Sequence, residues 1–374
     1  MSRLKRREDR RPDQESDEGA PMQYPIGEKK ELRVVFLRLR SLGDTVLMTP
    51  ALAAAKRLPN CKVGVVVETP FHEVLVHNPN VDRLFVLDRN RNNLSERIRS
   101  VAAIRSFAPH LAIDLHGGTT SAWMTFFSKA ARRVGYAASR NAFLYNLRVP
   151  VSSEIWGKKQ LHTVEHQLSP LKHLGFPVDP LPPVEISLLP GELLEGRRKL
   201  EELGVAEPFV LVHPAAAFDT KQWPAEHFAT VCRDLSRSGM KVVLTAGPGE
   251  EAVLHRIRDL GAGSASVLAP LPLRLFSAVA SLSALYIGND TGATHIAAAF
   301  GRKIIVIFGS SDDSVWYPWQ TQHELIRHRL PCVPCPGYRC LHYKEPLCIQ
   351  SVSPEAVIHA ARSLYAANQQ VTIN

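Results

Sequence analysis

Short apolar runs alternate with amphipathic helical patterns along this chain, and the alternation constrains the fold more than any other feature. In the first half the apolar runs predict four strands, at residues 33–38, 62–68, 83–88 and 111–115. Helical patterns lie between them at residues 43–58, where Pro50 should distort the helix, and at residues 94–107. Such alternation predicts an α/β architecture, in which helices cover both faces of a parallel sheet.

The same alternation restarts after a proline-rich stretch. Five prolines between residues 176 and 190 predict a linker. Beyond it we expect strands at residues 209–213, 241–246, 284–287 and 303–308, and helices at residues 225–238, 250–260, 273–282 and 354–367. The chain is therefore expected to form two doubly wound, Rossmann-like domains, residues 31–185 and 186–374. Ligands bind at the carboxyl ends of such strands, so the expected site is a central cleft between the domains.

The charge of the chain indicates an anionic partner. The formal net charge is +9, and residues 1–30 contribute only +1 of it, with eight basic and seven acidic side chains. A basic folded part suits a nucleotide, a nucleic acid or an acidic lipid surface. Because no aromatic–basic motif accompanies the charge, we expect no nucleic-acid partner.

The first thirty residues are charged and nearly free of aliphatic side chains, which predicts a disordered tail. They lack the apolar core of a signal peptide, and the chain has no run of about 18 apolar residues. We therefore expect a cytoplasmic protein with reduced cysteines.

Residues 286–300 predict a phosphate-binding turn. An apolar strand stops at Gly288-Asn289-Asp290, and Thr291-Gly292 then opens an alanine-rich helix. A helix start at the carboxyl edge of a sheet presents unpaired N–H groups to an anion. Asp290 and His295 add side chains that could hold a polar ligand. The alternative is an ordinary strand–helix turn, with Asp290 as an N-cap and His295 facing solvent.

Asp44 follows the first strand in the run Ser41-Leu42-Gly43-Asp44. One interpretation is an N-cap, which is a common use of aspartate. The other is a carboxylate at the mouth of the cleft that takes a proton from a hydroxyl.

Two further residues follow strands of the second half. Lys221 is a mobile point charge suited to phosphate, although a lone loop lysine is usually only solvated. Glu250 follows a glycine turn and could bond a ribose. The glycines do not form the GxGxxG pattern, which argues against a dinucleotide oxidoreductase.

Four of the six cysteines cluster, at Cys332, Cys335, Cys340 and Cys348. Their spacing would allow a zinc site, but it lacks two well-separated CxxC pairs. Free thiols, or a disulfide formed on isolation, are the alternatives. We expect free thiols and no metal site.

Taken together, these segments resemble the family 9 glycosyltransferases, the bacterial ADP-heptose:lipopolysaccharide heptosyltransferases. The resemblance spans residues 32 to about 367. Its motifs are Ser41-Leu42-Gly43-Asp44 with Thr49-Pro50, Lys221-Gln222-Trp223-Pro224, Gly288-Asn289-Asp290-Thr291-Gly292 with His295, and the cysteine-rich stretch leading to Leu347-Cys348-Ile349 and Ser353-Pro354.

The resemblance implies a GT-B fold and an inverting transfer that needs no metal or other cofactor. The first domain would take the acceptor and the second the ADP-sugar. By position, Asp44 matches the general base, Lys221 the lysine on the donor diphosphate, and Asp290 the aspartate on the donor sugar hydroxyls. Thr291 and Gly292 match the turn that cradles phosphate. Several members carry hydroxyl residues where this chain has Ala215, Ala216 and Ala217, so backbone N–H groups would have to serve there.

The expected function is therefore transfer of a heptose or related sugar from an ADP-sugar to a lipopolysaccharide inner core or similar glycolipid. The acceptor would be anionic and would lie at the inner membrane surface, where the protein could associate peripherally. The alternatives are a nucleotide-sugar epimerase or hydrolase on the same scaffold, and a binding protein that has lost catalysis. The joint presence of Asp44, Lys221 and Asp290 counts against the last alternative.

Overall fold

The computed structural model describes residues 31–369, except for residues 89, 91–93 and 336–337. The predicted disordered tail lies outside the described residues. Within the described part the chain forms two parallel six-stranded sheets, one in each half. The prediction of two Rossmann-like α/β domains is thus confirmed.

The first sheet has the strand order β3-β2-β1-β4-β5-β6, and every pair is parallel. Its strands are β1 (Leu32–Leu37), β2 (Cys61–Glu68), β3 (Arg83–Leu87), β4 (Leu111–Asp114), β5 (Arg132–Tyr136) and β6 (Leu147–Val149). Its helices are α1 (Leu42–Leu47), α2 (Thr49–Lys56), α3 (Leu94–Phe107), α4 (Thr119–Phe127), α5 (Ser152–Trp156) and α6 (Thr163–His173).

The second sheet has the order β12-β11-β10-β7-β8-β9, again all parallel. Its strands are β7 (Phe209–His213), β8 (Lys241–Thr245), β9 (Ser266–Leu268), β10 (Leu285–Asn289), β11 (Lys303–Phe308) and β12 (His323–Arg327). Its helices are α7 (Pro190–Glu202), α8 (Ala225–Arg237), α9 (Glu251–Asp259), α10 (Leu273–Leu282), α11 (Gly292–Ala299), α12 (Asp313–Trp316), α13 (Leu347–Gln350) and α14 (Pro354–Gln369). Both halves therefore share one strand order.

The single helix expected over residues 43–58 is two helices, α1 and α2, which join at Met48. Pro50 has no N–H to donate, and it lies in the first turn of α2, where none is needed. Pro190 differs from the prediction in a similar way. It begins α7 and does not belong to the linker.

The central strands are buried on both faces. Val34, Val35, Phe36 and Leu37 of β1 are all fully buried, as expected for a strand covered by helices on each side. One apolar cluster continues from β1 through α6 to residues of β7 and α10, so the two domains share a core.

Polar bonds also join the domains. Arg274 on α10 donates to the carbonyl of Glu73 at 3.0 Å and to that of Ser187 at 2.8 Å, and it pairs with Glu192 at 2.5 Å. Trp319 donates to the carbonyl of Pro182 at 3.0 Å. In the part of the chain that the structure describes, no helix is both long and apolar enough to cross a membrane.

Candidate active site

In each sheet the strand order reverses between two neighbouring central strands, and the candidate residues follow these strands. Asp44 comes after β1, whose neighbour across the reversal is β4, and Asp290 comes after β10, whose neighbour is β7. Crevices at such points are where ligands bind in open α/β sheets.

Helices α1 and α11 bring the two crevices together, because they meet at glycines. A Cβ atom on Gly292 would lie 2.6 Å from Cγ of Leu42, and a Cβ atom on Gly43 would lie 3.0 Å from Cδ2 of His295. Only a residue without a side chain permits so close an approach. The start of α1 therefore borders the crevice of the second domain, and the start of α11 borders the crevice of the first.

Asp44 is held by bonds to both carboxylate oxygens. Its Oδ1 forms an ion pair with Arg38, and its Oδ2 accepts a hydrogen bond of 3.0 Å from the Ser41 hydroxyl. Gln167 of α6 donates to the Asp44 carbonyl at 3.2 Å. Ser41 is the N-cap of α1, so the interpretation of Asp44 as the N-cap is wrong. Its side chain is 15% exposed, and these bonds hold it in one orientation.

Arg38 is a residue that the sequence analysis missed. Besides pairing with Asp44, it donates to the Leu115 carbonyl at 2.5 Å and thus ties the end of β1 to the end of β4. Its only sequence signal is a charge directly after a buried strand.

Two histidines beside this pair are neutral at pH 7. Burial, and then the nearby charge of Arg38, lowers the pKa of His116 to about 4. The same two causes lower the pKa of His166, while Asp44 opposes the shift in both. His166 is further fixed by a 2.7 Å hydrogen bond between its Nδ1 and the Ser152 hydroxyl, and by stacking on Tyr136 at 4.6 Å.

A cavity of about 460 Å³ opens at this edge of the first sheet. Its walls come from the turn between β4 and α4, from the segment after β5, and from α5 and α6. It is lined by Gly117, Gly118, Thr119, Tyr136, Ala138, Ser139, Arg140, Asn141, Val151, Ser152 and His166. His166 in the cavity wall is followed on α6 by Gln167, which bonds the Asp44 carbonyl, so the cavity lies near Asp44. Its size fits a sugar-sized ligand.

Across the cleft, Lys221 and Asp290 form an ion pair of 2.7 Å between Nζ and Oδ2. Asp290 is only 3% exposed, whereas the Lys221 side chain is one quarter exposed. The N-cap of α11 is Thr291, so Asp290 is not the cap. The ion pair places a partly exposed cation next to the start of α11.

Two amide side chains lock the loop that carries Lys221. The buried Asn289 accepts from the Trp223 amide at 3.2 Å and donates to the Pro214 carbonyl at 2.7 Å. Gln222 donates to the same carbonyl at 2.6 Å and accepts from the Ala216 amide at 2.7 Å. The Ala216 N–H, expected to serve a phosphate, is therefore taken by Gln222. Neither amide side chain has a role that could be recognised from the sequence.

His295 lies inside the contact between the domains and not on the solvent side. It is 2% exposed, and burial lowers its pKa, while Asp290 and Asp44 oppose the shift and Lys221 adds to it. One imidazole thus lies within reach of the candidate groups of both domains.

Glu250 closes the turn after β8. Its Oε2 accepts from the Gly247 amide at 3.0 Å and lies 3.7 Å from Nε2 of His213. Burial lowers the pKa of His213, and the Glu250 charge opposes this. The Glu250 side chain is partly exposed at the carboxyl edge of the second sheet, where a ligand can reach it.

The six cysteines all lie in the described part of the chain, and none of them forms a disulfide bond. Cys335 is tied to the sheet edge by a 2.8 Å bond from its amide to the Ser310 carbonyl, and burial raises the pKa of the Cys348 thiol. Among the described residues, no three histidine, cysteine, aspartate or glutamate side chains form a group that could hold a metal ion.

The family model of glycosyltransferase family 9 (heptosyltransferase) matches residues 97–344. The chain belongs to this family. The resemblance drawn from the motifs is thus confirmed, and this family 9 protein is a glycosyltransferase.

Relatives and solved structures agree with the assignment. Lipopolysaccharide heptosyltransferase 3 of Escherichia coli is 28% identical over 303 residues, which cover 75% of this chain and 84% of the relative. A family 9 glycosyltransferase from Veillonella parvula superposes with a TM-score of 0.78 at 22% identity, over 90% of this chain and 98% of that one. The E. coli ADP-heptose lipopolysaccharide heptosyltransferase II superposes with a TM-score of 0.74 at 18% identity, over 90% of this chain and 100% of that one. The fold of this family 9 enzyme is GT-B.

Proposed function

We propose that this glycosyltransferase moves a heptose, or a closely related sugar, from an ADP-sugar to an anionic glycolipid of the lipopolysaccharide inner-core type. The observation that carries the proposal is the meeting of α1 and α11, which sets Asp44 of one domain opposite the Lys221–Asp290 pair of the other. The choice of sugar and acceptor rests on the relatives, which include a lipopolysaccharide heptosyltransferase and an ADP-heptose-dependent one.

The second domain would bind the donor. Lys221 and the N-terminus of α11 would hold the diphosphate, because a cation and unpaired N–H groups both suit phosphate. Asp290 would accept hydrogen bonds from sugar hydroxyls, and Glu250 from the ribose. Thr291 and Gly292 would line the part of the site that holds the phosphates, and the buried His295 would pack behind them on the same helix. Since the Ala216 amide is already bonded, the phosphate would rely mainly on Lys221 and α11.

The first domain would bind the acceptor in the cavity beside Asp44. Asp44 would take the proton of the attacking hydroxyl while the new bond forms at the anomeric carbon and the bond to the diphosphate oxygen breaks. The leaving diphosphate would gain negative charge, which Lys221 and the start of α11 would stabilise without a divalent metal. Because base and leaving group would be held by opposite domains, attack would come from the face opposite the diphosphate and would invert the anomeric centre.

The test is a transfer assay with purified protein, ADP-heptose and a delipidated inner-core acceptor. We expect ADP release that depends on the acceptor, together with a product heavier by one heptose and of inverted configuration by NMR. Activity should persist in EDTA, and UDP- and GDP-sugars should not replace the ADP donor. ADP release at the same rate without acceptor would instead indicate a hydrolase, and a rearranged free nucleotide sugar would indicate an epimerase.

A further inference from the structure

Four large aromatic side chains are exposed together on one side of the first domain. Trp123, Phe126 and Phe127 of α4 are 41%, 41% and 43% exposed, and Phe143 of the turn before β6 is 66% exposed. Their ring centroids lie 5.3 to 6.5 Å apart in the contacting pairs, so they form one surface, here called the aromatic patch. Contiguous exposed apolar surface of this kind marks an interaction site.

The aromatic patch follows from the pattern of α4. Ser121, Ala122, Met124 and Thr125 face inward and are buried, so the packed side of the helix is made of small or flexible residues. The outward positions 123, 126 and 127 are spaced as one helical face, and all three are aromatic. An ordinary surface helix has the opposite arrangement, with its largest apolar residues inside.

Basic side chains surround the aromatic patch. The Arg133 guanidinium lies 5.4 Å from the centre of the Phe126 ring, and Arg105 donates to the Phe127 carbonyl at 2.7 Å. Arg148 donates to the carbonyl of Ala142, next to Phe143, at 3.1 Å. Residues 115–153, which contain the whole patch, hold five lysines and arginines and no aspartate or glutamate. The segment that contains the aromatic patch therefore carries charge of one sign.

We propose that the aromatic patch is the surface by which this protein docks on an anionic lipid bilayer. Aromatic side chains favour the membrane–water interface, where an apolar ring and polar headgroups are both accommodated. Basic side chains close to that interface gain from the negative surface potential of anionic lipids. A second copy of the chain is a poorer partner, because a two-fold symmetric contact would bring the basic side chains of one copy against those of the other.

The aromatic patch and the cavity are built on the same two segments of the chain. The consequence for acceptor binding rests on the proposed function. Thr119 in the cavity wall begins α4, and Asn141 in the same wall directly precedes the turn that carries Phe143. A bilayer held at the patch would therefore lie beside the cavity proposed for a lipid-linked acceptor.

The experiment is cosedimentation of the full chain with vesicles of phosphatidylethanolamine, with or without phosphatidylglycerol. The variants are Trp123→Ser with Phe127→Ser, and Lys129→Glu with Arg132→Glu, which reverse two exposed basic residues of the segment that contains the patch. The matched controls are Leu194→Ser, an exposed leucine on α7, and Arg237→Glu, an exposed arginine at the end of α8. Thermal unfolding checks that every variant is folded, and turnover of a delipidated acceptor checks the chemistry.

We expect the native chain to bind the vesicles with phosphatidylglycerol and to be released by salt. Each patch variant should lower the partition coefficient about tenfold or more, and the controls should leave it unchanged. Transfer to the delipidated acceptor should be the same in all five proteins. Because vesicle binding does not depend on transfer, it decides the role of the patch even if the proposed chemistry fails.

Two results would overturn the proposal. One is equal vesicle binding by the native chain and the patch variants, or no binding by any of them. The other is a native chain that sedimentation equilibrium shows to be a dimer and that Trp123→Ser with Phe127→Ser makes a monomer, without vesicle binding. That result would assign the aromatic patch to self-association.

Discussion

At the scale of single residues, Asp44 has an informative counterpart in Glu192. Both are the third residue of a helix, both accept bonds from the residues that start it, and both pair with an arginine. The candidate cavity lies near Asp44, whereas Glu192 belongs to the second domain and pairs with Arg274. We predict that only Asp44 carries chemistry, and that Glu192 stabilises a helix start.

We predict that Asp44→Asn lowers turnover at least about a hundredfold, because the amide cannot take a proton in the transition state. Donor affinity should be nearly unchanged. In the matched variant Glu192→Gln the helix start loses a similar charge, but turnover should stay close to that of the native enzyme. Steady-state transfer rates and calorimetry with ADP measure both effects. Near-normal turnover of Asp44→Asn would remove it from the chemistry.

The Lys221–Asp290 pair leads to a second prediction. Lys221→Ala should weaken binding of the ADP-sugar about tenfold or more, since a charge-assisted hydrogen bond contributes about 1.5–3 kcal/mol. It should also lower the melting temperature, because it leaves the buried Asp290 carboxylate unpaired. Lys221→Ala with Asp290→Asn should recover the melting temperature but not the affinity. If affinity and stability recovered together, Lys221 would be only a structural partner of Asp290.

Sequence reasoning selected Asp44, Lys221 and Asp290 because each follows a strand end with recognisable turn residues. It missed Arg38 and Asn289, whose roles depend on partners far along the chain. Asn289 bonds the Trp223 amide, 66 residues away, and Arg38 bonds the Leu115 carbonyl, 77 residues away. Local turn chemistry predicts where a strand ends, but it does not predict which strand ends meet.

At the scale of elements, the contact between α1 and α11 depends on two small residues. We predict that Gly292→Ala lowers the transfer rate by at least about tenfold, because its Cβ would lie 2.6 Å from Leu42 and would force the helices apart. Leu42→Gly with Gly292→Ala should recover much of the rate, since it removes the Cβ and Cγ of Leu42, which would lie 2.8 and 2.6 Å from the added atom. Gly191→Ala, in the first turn of α7 with no atom near the added Cβ, is a control for the general cost of replacing a glycine at a helix start. A rate unchanged in Gly292→Ala would show that the close approach is not needed.

Sequence patterns predicted all of the central, buried strands. The central strands β1, β7 and β10 are continuous apolar runs, and the structure places each within two residues of its expected ends. The patterns missed β5, β6, β9 and β12, which are short or partly exposed strands on the outer side of each sheet. The sequence Arg132-Arg-Val-Gly-Tyr136 of β5 and His323-Glu-Leu-Ile-Arg327 of β12 mix charged with apolar residues, and pairing with a neighbouring strand determines their structure.

At the scale of the whole molecule, His162 connects the domains in a way that depends on pH. Its Nδ1 accepts from the Val164 amide at 3.1 Å, so its Nε2 carries the proton and donates to the Tyr317 carbonyl at 2.9 Å. The ring also stacks on Trp319 at 4.6 Å. A second proton on Nδ1 would break the bond that begins α6.

We predict that this histidine makes the fold sensitive to mild acid. Burial lowers the pKa of His162 from 6.5 to about 4, so the neutral form stabilises the fold fully above about pH 6.5. As pH falls towards 4 this contribution is lost, up to about 3 kcal/mol. His162→Asn keeps a helix cap but does not titrate, so its melting temperature should fall less between pH 7 and pH 4.5 than that of the native chain. The melting temperatures are measured against pH by tryptophan fluorescence and scanning calorimetry. An equal fall in the two proteins would contradict the assignment.

The last helix, α14, packs against α8, β10, β11 and β12, and its Arg362 pairs with Asp234 of α8 at 2.7 Å. Within the described residues, the chain thus passes from one sheet to the other once and does not return. A single genetic crossover within residues 177–189 could therefore exchange an entire domain between related genes. Under the proposed function, the preference for an acceptor and the preference for a donor would be inherited as separate units. Such chimaeras would be viable only where the small residues at positions 43 and 292 are both retained.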